Sequence, residues 1–318
     1  MNKDVLRLTT GAMLTAVFGL LMLVNRQTGG MLEGAFQYIL PIPMAAYTAL
    51  YGTRRSFPVA AAMALLAILL GNVSTLFFEI AHILIGFIFG ICLYRKVDTT
   101  RTMLIVMAMT ALINMVDIVV TAAVTGVSLS RDVEQMQVMM REIAEKAGMM
   151  LPEAMMNEGY LLRMLLIGMA FGGALQGFLI YEISLLLLRR LRFQVPKPRN
   201  LLSYHPPKWM GLAAGAAVLL MLIVTTFSVD ISGNLIPSME PIFGVCQAVG
   251  MIAMLFLAAF GVIAVTGIMN YYAITSKPLR ILILVMMVLS MSQLLAFLGF
   301  LYIMQMTDLI RAVIQESK

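Results

Sequence analysis

Two cysteines, two histidines and one tryptophan in 318 residues leave few side chains for metal, redox or acid–base chemistry. Cys92 and Cys246 each sit inside an apolar run, so their spacing makes no metal motif and says nothing of disulfides. A Gly-x-x-x-x-Gly-Lys-Ser/Thr phosphate loop is absent, which excludes ATP hydrolysis by the usual route. His-Glu-x-x-His and Gly-x-Ser-x-Gly are missing too, and no nucleophile stands beside a plausible base. An enzyme is therefore not expected, and neither a cofactor nor a metal is called for. Charge is scarce as well: only 12% of residues are Asp, Glu, Lys or Arg, against 61% hydrophobic. A soluble domain of this size could not cover its surface with so few polar groups.

What is abundant is long apolar sequence, with a mean hydropathy of +0.94. A membrane-crossing helix needs roughly 20 apolar residues. The chain offers nine stretches, at about 8–24, 37–52, 57–71, 75–94, 102–125, 159–188, 209–229, 240–271 and 280–304. The expected fold is all-α, a polytopic transmembrane helix bundle. Gly71-Asn72 is a turn signal that separates the third and fourth stretches. Pro41 and Pro43 make the second enter its helix late. Lys3 and Arg7 before the first stretch resemble a signal peptide, but no cleavage site follows, and the helix is read as retained.

Basic residues set the orientation. With the N-terminus inside, 15 of the 22 Lys and Arg fall in inner segments, among them Arg54, Arg55, Arg95, Lys96, Arg101, Arg189 and Arg190. The positive-inside rule then places the N-terminus in the cytoplasm of a multi-pass protein. The net charge of +6 is accounted for by this placement and calls for no nucleic acid. The Pro-rich basic run 191–208 is a cytoplasmic loop, dividing a membrane domain at 1–190 from a three-helix region at 209–318. On the outer side, 127–158 is a long insertion. There Val133, Met136, Met140, Ile143 and Ala147 line one face of an amphipathic helix.

Polar residues inside the spans are costly and so mark candidate sites. Glu79 and His82 lie on one stripe with Gly86 and Gly90; Thr110, Asn114, Asp117 and Thr121 lie on another, in the next span. At about 1.5 Å rise per residue, His82 and Asp117 both fall roughly 10 Å below the outer surface. Glu79, His82, Asn114 and Asp117 are the substrate-site candidates, with hydrogen-bonded helix glue as the competing reading. In the first span Gly11, Thr15 and Gly19 form a small-residue stripe, with Ala12 and Ala16 on the stripe beside it. Such a face serves close packing, inside the chain or against a partner. Gly168, Gly172 and Gln176 form a similar stripe in the sixth span.

Several of these features occur together: Ala12-x-x-x-Ala16 after a basic N-terminus, the Pro41-x-Pro43 helix ending at Tyr51-Gly52, a tight outer turn at 71–76, a Gly-rich fourth span and a long outer segment between the fifth and sixth. As a set they resemble the substrate-binding (S) components of energy-coupling-factor (ECF) transporters, and most of all the YybS-like bacterial membrane protein family. The resemblance covers residues 1 to about 190. It implies a plasma-membrane protein that binds a small molecule from outside, under outer loops at 24–37, 71–76 and 127–158. It also implies that Ala12 and Ala16, with Gly11, Thr15 and Gly19 around them, dock a transmembrane coupling subunit served by separate ATPases. Membrane lipids are the remaining expected partner. The extra C-terminal helices leave a second reading open, a non-transporting scaffold or regulatory partner of a cell-envelope complex.

Overall fold

The computed structural model describes residues 3–71, 76–126, 129–148, 156–193, 195, 206–228, 236, 239–272, 274, 276–290 and 292–306. Most of the basic loop, including His205, lies outside the described residues, as do 72–75 of the outer turn and 149–155 of the outer insertion. Every described element is a helix: α1 Lys3–Gln27, α2 Glu33–Phe36, α3 Pro41–Tyr51, α4 Thr53–Leu70, α5 Leu76–Tyr94, α6 Thr99–Thr125, α7 Leu129–Ala147, α8 Glu158–Arg190, α9 Lys208–Phe227, α10 Glu240–Tyr271, α11 Lys277–Ser290 and α12 Ser292–Met304.

Seven of these, α1, α4, α5, α6, α8, α9 and α10, are long and apolar enough to cross a membrane. One of the nine expected spans comes out differently. The stretch 37–52 forms only the 11-residue α3, about 16 Å long against a hydrocarbon core of about 30 Å. Prolines at its start delay the helix, and Gly52, at φ 77°, ends it by donating its N–H to the Thr48 carbonyl. The stretch 280–304 is covered by α11 and α12, and Met291 between them lies outside the described residues.

The helices form two compact units. Unit one holds residues 1–129 and 168–198; unit two holds 130–167 and 199–318, so that α8 contributes to both. At the centre of unit one lies α3, with Pro41 through Thr48 all buried. Glycines on α5 let it come so close: Gly86 sits against the Pro41 carbonyl, and a methyl on Gly90 would stand 2.5 Å from the Thr48 Cβ. Phe18, Met44, Met63 and Ala67 fill one side of this core, and Ile85, Phe89, Val106, Ile180 and Leu185 the other.

Unit two uses the same device. Gly261 and Gly299 bring α10 and α12 together, each against a carbonyl of the other helix, Leu295 and Leu257 respectively. Gly211 and Gly215 seat α9 on Ile303 and Phe300 of α12. Ala253, Leu257, Phe260, Ala264 and Tyr302 fill the space between. On α7 the buried positions are Val133 and Ala144, while Ile143 is 63% exposed. The inward face is therefore turned by one residue near the helix end from the 133–136–140–143 stripe.

Candidate functional site

α5 buries its carboxylate and its imidazole, Glu79 at 5% and His82 at 1% exposure. The Glu79 carboxylate fills the space beside Gly71, at the end of α4, where a side chain would otherwise stand. His82 lies against Phe78, one turn earlier, with ring centroids 4.0 Å apart and planes tilted by 44°. Its Nδ1 lies 2.7 Å from the Phe78 carbonyl, a contact only a protonated Nδ1 can make as a donor. In the neutral imidazole Nε2 is then an acceptor, and it is buried with no partner among the described residues. The Thr48 hydroxyl of α3 is buried in the same state.

The second polar stripe faces another neighbour. Asn114 on α6 donates its Nδ2 hydrogen to Gln176 Oε1 on α8, at 2.9 Å. Thr110 returns its hydroxyl to the Val106 carbonyl of its own helix. The two helices meet at Gly173 and Gly177, where added methyls would lie 2.7 Å from the Ala111 and Met107 Cα atoms. Gly168 and Gly172, the glycines of the expected stripe, have nothing within 4 Å of such a methyl. Asp117 is half-buried one turn beyond Asn114. Its charge reaches Glu33 of α2, whose carboxyl is pushed above the usual carboxylate range, first by burial and then by Asp117. No described hydrogen bond joins His82 to Asn114 or Asp117.

The stripe on α1 divides between two environments. Gly11 packs on Tyr47 of α3 and Val59 of α4, and Gly19 packs on Leu66. Thr15 is half-buried between them, whereas Ala12 and Ala16 are exposed. The glycines thus serve the chain's own packing, and the alanines look outward.

Unit two holds a polar pair that the sequence does not announce. Arg163, in the second turn of α8, donates from Nε to Gln247 Oε1 on α10 at 3.1 Å, and Gln247 is 2% exposed. From the sequence alone Arg163 suits an outer-interface charge or a ligand carboxylate equally well, and Gln247 suits helix glue; a separation of 84 positions hides the pairing. An arginine inside an apolar run was the available signal. Among the described residues, no group of three or more His, Cys, Asp or Glu could hold a metal ion.

Long apolar helices, glycine-mediated crossings and polar side chains turned into the bundle define an integral membrane protein of the multi-pass helical class. Residues 13–304 match the model of the family described as "Predicted membrane protein (DUF2232)", and the chain belongs to that family. No curated protein matches it, and no solved structure does.

Proposed function

We propose that unit one is a non-catalytic binding component of the ECF S type, taking up a small molecule from outside at Glu79, His82, Asn114 and Asp117. The observation that carries this reading is the outward setting of Ala12 and Ala16 on α1. A helix facing only lipid gains nothing from small side chains, whereas a close helix partner requires them. The partner would be a transmembrane coupling subunit, with energy from separate ATPases. The buried and unpartnered Nε2 of His82 supports a polar ligand next to α5. The full chain, captured in mild detergent, should bring down the coupling subunit and ATPases. Ala16→Leu should lose that capture while keeping its own thermal stability. Loss of stability instead would make the face one of internal packing.

The chain would lie in the bacterial plasma membrane with its N-terminus in the cytoplasm, as the basic residues direct. A membrane-impermeant thiol reagent should then label Glu145→Cys in intact cells and leave Lys197→Cys unlabelled; the reverse pattern overturns the orientation. A second reading, a scaffold or regulatory partner that does not transport, is favoured by the Asn114–Gln176 bond, since an Asn already bonded across two helices acts as glue. Capture of envelope proteins other than ATPases and a coupling subunit would bring that reading forward.

A further inference from the structure

A second site lies in unit two, apart from the polar residues of unit one. Arg163, Pro241, Gly244, Val245 and Ala248 line an open cleft of about 570 Å³ between the starts of α8 and α10. This volume is in the range of sites that hold small organic molecules. One wall is apolar, and its Val245 is 66% exposed. The other is the Arg163 guanidinium, fixed in place by its bond to the buried Gln247. Glycines flank the charge: a methyl at Gly244 would stand 3.1 Å from Nη1, and one at Gly159 3.4 Å. No acidic side chain pairs with Arg163 among the described residues.

Depth and charge identify the occupant. Arg163 is five residues into α8 and Gln247 seven into α10, so the pair sits roughly 8–10 Å below the helix ends. Both helices are membrane spans and present their N-termini here, where partial positive charge adds to that of the guanidinium. A cation at this depth beside an exposed apolar wall matches an amphiphile: an oxyanion for the arginine fork and hydrocarbon for Pro241, Val245 and Ala248. We propose that this cleft binds an anionic phospholipid, its phosphate on Arg163 and an acyl chain along α10.

The test uses the full chain in a neutral detergent, titrated with phosphatidylglycerol, with phosphatidylcholine or with glycerol phosphate. Thermal unfolding and lipid retention by native mass spectrometry are the readouts. Phosphatidylglycerol should raise the melting temperature saturably and remain bound, while phosphatidylcholine and glycerol phosphate should do neither. Arg163→Gln should raise the half-saturating phosphatidylglycerol concentration about tenfold or more, the worth of a charge-assisted hydrogen bond. Should Arg163→Gln fail to fold, Ala248→Phe fills the apolar wall while keeping Arg163 in the chain, and it should lose retention likewise. An equal response to phosphatidylcholine overturns the proposal, as does full retention by Ala248→Phe. A response to glycerol phosphate alone assigns the cleft to a soluble anion and overturns the lipid.

Discussion

The two units are assembled by the same device and filled with different chemistry. In each, glycines let helix backbones touch: Gly86 and Gly90 between α5 and α3, Gly261 and Gly299 between α10 and α12. Yet among the described residues unit one buries Thr48, Ser56, Glu79, His82, Thr102, Thr110 and Ser184, and unit two Ser228 and Gln247. In unit two apolar side chains fill the α10–α12 crossing, and the buried Gln247 has its partner in Arg163. A buried polar group costs free energy unless it is paired. Within unit one the cost is met unevenly. Asn114 and Thr110 have acceptors, whereas His82 Nε2 and the Thr48 hydroxyl have none among the described residues.

The largest expected effect tests the shared device. Gly299→Ala and Gly86→Ala each push a methyl into a facing backbone carbonyl, of Leu257 and Pro41, which cannot rotate away. Each should cost about 3 kcal/mol, the upper end of overpacking penalties, in equilibrium unfolding from detergent. Gly168→Ala and Gly172→Ala, with open space around them, should change stability by less than about 0.5 kcal/mol. If Gly86→Ala is tolerated, unit one is not locked as unit two is, and the comparison breaks at its first term.

A second, smaller effect should differ in sign between the units. Gln247→Leu leaves the Arg163 Nε without its acceptor and should destabilise by about 1.5–3 kcal/mol, as for hydrogen bonds to charged groups. His82→Leu removes a buried Nε2 that has no partner among the described residues. That variant should be as stable as the parent or more so by about 1 kcal/mol, the desolvation cost it relieves. Thermal unfolding of both variants decides it. If His82→Leu destabilises as Gln247→Leu does, the imidazole is structural, and unit one uses its polar groups as unit two does.

How far the sequence discloses this arrangement depends on the range of each interaction. Most of the spans and the helix of α7 are local periodicities and are legible, whereas the shortness of α3 and the turned face of α7 are not. The Glu79–His82–Gly86–Gly90 stripe is local too, and its burial follows. Choosing between Gly168/Gly172 and Gly173/Gly177 is different, because both pairs have helical spacing and only the position of α6 decides. The same holds for α1, where adjacent stripes of glycine and alanine are equally small and the nearness of α3 and α4 sorts them. Matched depth placed His82 and Asp117 at one level, but depth carries no information about azimuth. The Asn114–Gln176 and Arg163–Gln247 bonds span 62 and 84 residues and cannot be read locally.

The smallest effect concerns Glu33, at the edge of unit one beside Asp117. Burial first, and then the Asp117 charge, holds its carboxyl above the usual carboxylate range in the folded chain. In the unfolded chain neither influence remains, so the folded state favours the protonated form more than the unfolded state does. The stability Glu33 contributes is thus full below its unfolded pKa and is lost as pH rises through the higher folded value. Glu33→Gln mimics the protonated form and should make the melting temperature less sensitive to pH across the carboxylate range. Near neutrality the variant should be slightly more stable than the parent, by about half a kcal/mol or less, because the group is only partly shielded from water. At pH values below the unfolded pKa the two should coincide. Asp117→Asn should produce a smaller shift in the same direction at Glu33, since its charge is the lesser of the two causes. If Glu33→Gln instead destabilises near neutrality, the ionised carboxylate has a favourable partner in the folded chain, and the Asp117 side of unit one is not a place where negative charge is resisted.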